Sequence, residues 1–403
     1  MTAAAAEKTA ARLPALIVPQ DDARDARLGS ALRLDTLRTA CSRVREQYRV
    51  ERANAIKVTT LGAIRMNGQG RITTAEGYGG GLPIVDRALG VLLTGYTTRV
   101  HNKRAVIAPM GVSPEIDVSQ LDPRKEIRAM QLQLQDRSAR AMAVNDYLSR
   151  STKPATTGLR LRTRDLMRAD GEREQAIVAV LSPSHSLTGS DDPVLVGAIE
   201  TAFAEALDLA RAQAWRGIDE TEIRVVFPHM PVDALGSRWT GYMTVRNSET
   251  GKCSWSISAG LYREQDGASL AVEATGKTGR HVGFARARMI SAAETASEML
   301  RDMAAITARF ASQPTPWTPE KTMEKIQAAM ERVGASEDAM GAVAMAVGCG
   351  TLDLTTVVNA IATAGAATTA RGDAIGMERL AGRLLIHGWE MGCSIASHRE
   401  TAE

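Results

Sequence analysis

The stretch "SRWTGYMTVRNSETGKCSWSISAGLYRE", residues 237–264, constrains the fold more than any other segment of this 403-residue chain. Two alternating runs flank the turn-rich Asn247–Lys252. Trp239, Met243 and Val245 share one face of the first run, and Trp255, Ile257 and Leu261 share one face of the second. The opposite faces carry Thr240, Tyr242, Thr244 and Arg246, then Ser254, Ser256, Ser258 and Tyr262. Side chains on a strand alternate between faces, so this pattern predicts a half-buried antiparallel hairpin.

The flanking sequence extends the hairpin. An Asp266-Gly267 turn leads into a third strand over Ala268–Ala274, and 282–311 reads as a long helix with Met289, Ala292, Ala296, Met299 and Met303 inward. The unit is β-β-β-α. Upstream, Leu159–Thr163, Gln175–Leu181 and Glu222–Phe227 read as strands, and Asp192–Trp215 as a helix. Helices are also predicted over Ser30–Ala53 and over 122–150, the latter with Asp122 as N-cap and Pro123 in its first turn. The predicted class is therefore α+β, an antiparallel sheet packed by long helices.

The expected organisation is a flexible arm over 1–28, a mixed region over 29–150, an α+β core over 155–311 and an Ala/Met-rich helical lobe over 319–403. Linkers are expected at "STKPATTG" and "SQPTPWTPE". No apolar run is long enough to cross a membrane, and the amino terminus lacks a signal-peptide core. Four well-separated cysteines, with no CxxC or HExxH, speak against a zinc site and for reduced core thiols in a cytoplasmic protein, with an extracellular disulfide pair as the alternative.

"ATGKTGRHVG" at 274–283 spells the end of a phosphate-binding loop. The glycine-rich wrap such a loop needs is missing, because the position of its first glycine is Ala271. What remains is basic: Lys277, Arg280, His281, Arg286 and Arg288, with no acid anywhere in 274–293. Amides at the start of the following helix add attraction for an anion. A second cluster holds Arg150, Lys153, Arg160, Arg162, Arg164 and Arg168 with one acid, Asp165. A third spans Arg87, Arg99, Lys103 and Arg104 around His101.

Three such clusters can line one groove that tracks a phosphate backbone; each by itself also fits a solvated face with local ion pairs. Tyr242 and Tyr262 are placed either to stack bases or to cover the sheet. "SPSHSLTGSDD" at 182–192 brings Ser182, Ser184, His185, Asp191 and Asp192 together in sequence, but a triad is defined by geometry, and the segment reads better as turns and a helix cap. Neither catalytic residues nor a cofactor or metal is expected.

In order along the chain stand Ala179–Ser182, Asn247–Gly251 ("NSETG"), Leu261–Arg263 ("LYR") and Arg280–Gly283 ("RHVG"). This succession, across about residues 155–310, resembles the uncharacterised phage/plasmid-like family of prophages and conjugative plasmids. The resemblance implies a mobile-element protein and supplies no catalytic residues. The family often carries Cys-Asn-Gly after the "LYR" element, whereas this chain reads Glu264-Gln265-Asp266-Gly267, so no function tied to that cysteine carries over. The β-β-β-α order is similar in topology to the core of single-strand annealing proteins. The expected function is single-stranded nucleic-acid binding through a basic groove, by an oligomer able to promote annealing. The competing expectation is a self-associating structural or assembly protein of a mobile element.

Overall fold

A computed structural model describes residues 35–50, 54–58, 64–74, 81–85, 88–89, 92, 104–105, 116–117, 141–142, 144–145, 159–167, 172–181, 192–217, 220–248, 254–273, 285–309, 314–348, 352–368 and 371–389. They form α+β structure in two compact units, one of residues 1–19 and 47–185, the other of 20–46 and 186–403. Among the described residues no helix is long and apolar enough to cross a membrane.

The chain enters as β1 (Asp35–Thr36) and α1 (Leu37–Val50), and the division between units falls inside α1. Leu37, Ala40, Cys41 and Val44 recur at helical spacing and are buried. Burial pushes the Cys41 thiol up to about 12, so it is an inert core residue. Leu32 and Leu34, expected on the same helix, lie outside the described residues.

The first unit holds short strands β2 (Asn54–Val58), β3 (Ile64–Met66), β4 (Arg71–Thr74), β5 (Leu82–Pro83), β6 (Arg104–Ala105) and β7 (Ile116–Asp117), then the longer β8 (Leu159–Met167) and β9 (Arg173–Leu181). They pair as β2-β8-β9, β3-β4-β5 and β6-β7. Ile64, Ile72, Leu89, Leu92, Leu161 and Ile177 belong to its core. Most of the helix expected over 122–150 lies outside the described residues.

The second unit is built on a six-stranded antiparallel sheet in the order β1-β10-β11-β12-β13-β14. After β1 and the start of α1 it continues with α2 (Asp192–Ala202) and a 3-10 turn (Ala204–Ala206). The strands are β10 (Arg211–Arg216), β11 (Thr221–Ala234), β12 (Ser237–Asn247), β13 (Ser256–Tyr262) and β14 (Ser269–Glu273). The expected helix over Asp192–Trp215 is thus corrected. It stops at Ala202, and "RAQAWR" becomes a strand between β1 and β11. The Ala-rich composition favours a helix, but Ala212 can fill the sheet's inner face while the backbone pairs on both sides. Tertiary pairing overrides local propensity here.

The expected hairpin is β12–β13, with Met243 opposite Ala259 and Val245 opposite Ile257. A second, longer hairpin precedes it. β11 and β12 pair in two stretches separated by a bulge between Phe227 and Pro231. Pro228 and Pro231 lack the N–H that a ladder needs, which accounts for the interruption. The hairpin closes through Leu235 and Gly236, both at positive φ of 50° and 71°.

One face of the sheet is dry. Trp239, Met243, Val245, Ile257, Leu261, Ile223, Val225 and Phe227 form one core with α2 and with α3 (Ala285–Arg301). Each large apolar side chain so buried contributes about 1.5–3 kcal/mol. On α3 the inward stripe is Met289, Ala292, Ala293, Ala296 and Leu300, whose small members let the helix approach closely. The helix expected to run unbroken over 282–311 divides at Asp302 into α3 and α4 (Met303–Ala308).

The carboxy-terminal lobe is α5 (Pro319–Arg332), α6 (Glu337–Gly348), α7 (Leu354–Ala367) and α8 (Arg371–His387). Thr318 caps α5 and Asp353 caps α7, each side chain accepting a backbone N–H. Gly382 lets α8 lie against β14, since a Cβ there would stand 2.2 Å from the Ala271 carbonyl oxygen. Arg263, at the end of β13, clasps the lobe to the sheet. Its guanidinium donates to Asn359 Oδ1 at 2.9 Å and to Asp266 Oδ2 at 2.6 Å, and lies 4.7 Å from the Trp239 ring centre.

Candidate functional site: a basic helix entry beside a buried polar face

After β14 the chain enters α3 without an acid in the first helical turn. Arg286 and Arg288 are exposed there, while Met289 turns inward. The positive end of the helix dipole and two exposed arginines share this first turn, an arrangement that attracts anions. Lys277, Arg280 and His281 lie outside the described residues.

The second basic cluster is placed differently. β8 is the central strand of its sheet, with β2 on one side and β9 on the other. Arg162 and Arg164 on it are buried, at 2% and 3% exposure, and Arg160 is half-buried. Arg162 donates to the Tyr48 hydroxyl at 3.4 Å. The expectation that Arg162 and Arg164 track a phosphate backbone is therefore corrected: a central strand holds them away from solvent, and they belong to the interior of the first unit. Of the third cluster, Arg87, Arg99, His101 and Lys103 lie outside the described residues.

Tyr242 and Tyr262 do come together, with ring centres 6.1 Å apart and planes 34° from parallel. They are 0% and 7% exposed, and with Val226 they form a small cluster on the sheet's second face. Tyr242 pairs across with Gly260, where a Cβ would stand 1.8 Å from the Leu270 carbonyl oxygen of β14. Base stacking by these tyrosines is corrected as well, because closed rings offer no face to a base.

The alternation read from the hairpin does set a polar second face, yet that face is buried. Arg246 sits opposite Glu222 and Ser256, and Thr244 opposite Arg224 and Ser258. The Arg224 Nε donates to the Glu222 carboxylate, and Arg246 Nη2 donates to Glu220 Oε2 at 3.0 Å. Glu378 of α8 reaches the same group, 4.0 Å from Arg224 Nη2. The Tyr242 hydroxyl faces the Glu378 carboxyl without closing a well-formed hydrogen bond. Burial pushes the Tyr242 hydroxyl well above its ordinary value. Replacing it by Phe removes an unpaired buried hydroxyl at nearly constant shape. Tyr242→Phe is expected to raise stability by about 1 kcal/mol in chemical denaturation; a loss of that size would mean the hydroxyl is bonded.

A second buried polar group lies on the opposite face. Asp192 begins α2, and its carboxylate accepts from Arg216 Nε at 2.6 Å, Thr221 Oγ1 at 2.6 Å and Asn247 Nδ2 at 2.7 Å. One side chain thereby ties a helix to β10, β11 and β12. Sequence reasoning reaches Asp192 only as a cap and misses Glu222, Arg224 and Glu378. The alternation Glu222-Ile223-Arg224-Val225 carries a signal, opposite charges two residues apart on one strand face.

His229 is exposed in the β11 bulge, its ring edge-on to Phe227 at 6.0 Å, beside a cleft of about 470 Å³ that Glu205 and Arg301 also line. The segment 182–191 lies outside the described residues. Among the described residues no group of three or more His, Cys, Asp or Glu is placed to hold a metal.

Two residues of the ordered motifs have structural work: Asn247 binds Asp192, and Arg263 clasps α7. In comparisons with known proteins, no family model, curated protein or solved structure matches the chain.

Proposed function

We propose that this chain binds single-stranded nucleic acid through the basic entry of α3, as a protein of a phage or plasmid-like element. The observation that carries the proposal is the exposure of Arg286 and Arg288 at a helix start, in a 20-residue stretch, 274–293, without an acid. Lys277, Arg280 and His281 precede them in the same stretch and add phosphate contacts in this reading. Arg160, Arg162, Arg164, Tyr242 and Tyr262 have no part in it. Annealing, in this reading, follows from the β-β-β-α order of β12, β13, β14 and α3 and calls for an oligomer that holds two strands.

The first test is purification with and without nuclease, followed by binding of a labelled oligonucleotide. Nucleic acid is expected to copurify, and the stripped protein is expected to bind the oligonucleotide at low salt. Absence of both sinks the proposal.

A second reading, self-association as a structural component, has its own support. Beyond its acidic first turn of Glu337 and Asp338, the outer side of α6 presents Gly341, Ala342, Met345 and Ala346, with Met345 75% exposed. A large particle that survives nuclease and takes up no oligonucleotide favours this reading.

A further inference from the structure

The strongest constraint that the proposed function leaves unused is where α8 puts Glu378. The residue is 5% exposed, on the side of α8 turned to the second face of the sheet. A carboxylate buried this far needs a full set of partners, and Glu378 lacks one. Its Oε1 has no hydrogen-bond partner, and its nearest cation is Arg224 at 4.0 Å. That guanidinium is already engaged through Nε by Glu222. Glu222 and Glu378 therefore both approach Arg224, and Arg246 Nε also lies 3.9 Å from Glu222. Two carboxyl groups gathered on one guanidinium favour a proton on one of them.

Among the other groups around Glu378, Arg379 and the Tyr242 hydroxyl favour its charged form, against the effect of burial. From β12 it meets the Tyr242 hydroxyl, which is neutral at ordinary pH. On α8 itself its neighbour Arg379 donates to Ser256 Oγ at 3.0 Å. Among the helices packed on α8, α4 and α7 contain no ionisable residue. On α5, Lys321, Glu324, Glu331 and Arg332 are exposed, and Lys325 lies 4.5 Å over the Trp317 ring. Burial pushes the Glu378 carboxyl up, partly opposed by Arg224 and reinforced by Glu222.

We propose that α8 is a proton-sensitive clasp, seated on the sheet with Glu378 uncharged and loosened when that proton is lost. The rest of the contact is suited to a reversible seat. Gly382 against Ala271 fixes the approach, and Met377, Leu380, Ala381 and Leu385 supply the apolar hold. What changes with pH is the charge set against Glu222.

The sign follows from linkage. A carboxyl whose docked-state pKa lies above its free value holds its proton more tightly when docked. Docking is then strongest below the free value and weakens as pH rises from there towards the docked value. In that window the opening equilibrium of α8 rises by up to about 10-fold per pH unit, the limit set by loss of one proton.

The experiment is hydrogen exchange on the full chain between pH 5 and 9, read by mass spectrometry and corrected for intrinsic exchange. Peptides of α8 are compared with those of β12 and β13, for the wild type and Glu378→Gln. The expected result is that α8 in the wild type opens increasingly with pH while the strands do not, and that Glu378→Gln flattens the profile with α8 seated. A flat wild-type profile overturns the proposal without reference to any variant. An equal rise in Glu378→Gln overturns it also, by assigning the proton to another group. Oligonucleotide binding does not enter these readouts, so the clasp stands or falls apart from the proposed function.

Discussion

Replacing Asp192 with Ala is expected to destabilise the second unit by about 3–5 kcal/mol in denaturant unfolding. The carboxylate is 1% exposed and accepts three hydrogen bonds, from Arg216, Thr221 and Asn247. The Arg216 side chain is 0% exposed, so losing its anion leaves a cation inside the unit. Cost arises chiefly from a buried cation that has lost this carboxylate, and only partly from the bonds themselves. Asp192→Asn keeps the size and one acceptor oxygen but removes the charge, and is expected to lose most of the same stability. The pair Asp192→Leu with Arg216→Met removes both charges and should recover a substantial part. A loss below about 1 kcal/mol in Asp192→Ala would mean that α2 is not fastened to the sheet through this carboxylate.

The second large effect concerns binding. Reversing Arg286 and Arg288 together to Glu is expected to weaken oligonucleotide affinity on the order of 100-fold at low salt, because two phosphate contacts are replaced by two repulsions. Both side chains are exposed, while Met289 beside them carries the packing, so the fold is expected to tolerate the change. Thermal unfolding of the double variant should stay close to that of the wild type. A matching loss of stability would assign the effect to folding.

Period-two alternation made the sheet legible, because a strand with one dry face must alternate. Trp239, Met243 and Val245 on one run and Trp255, Ile257 and Leu261 on the other could be assigned to the dry face without reference to the rest of the chain, although their pairing register could not. The same logic gave the polar second face but not its burial. Alternation says which residues share a face; it does not say whether a distant helix covers them. Glu378 is 136 residues beyond Tyr242, and no local pattern connects them. "RAQAWR" misled for a related reason, since its pairing with β1 and β11 is a tertiary fact. Pro228 and Pro231 hid the second half of β11 by interrupting the pattern inside one strand.

The basic residues show the same limit. A run of arginines has one charge whether it faces water or the interior. On β8, Arg162 and Arg164 sit at the centre of a three-stranded sheet and are buried; on α3, Arg286 and Arg288 flank a helix start and are exposed. Sequence spacing alone gives both pairs the same weight. Their elements separate them.

The central claim, a phosphate-binding entry to α3, is tested most directly by a salt titration of single-stranded oligonucleotide binding. The logarithm of affinity is expected to fall linearly with the logarithm of salt concentration, with a slope of about −0.7 per phosphate contact. In Arg286→Glu/Arg288→Glu the slope should shrink by about 1.4, two contacts fewer. An affinity indifferent to salt, or a slope unchanged in the double variant, would contradict the account.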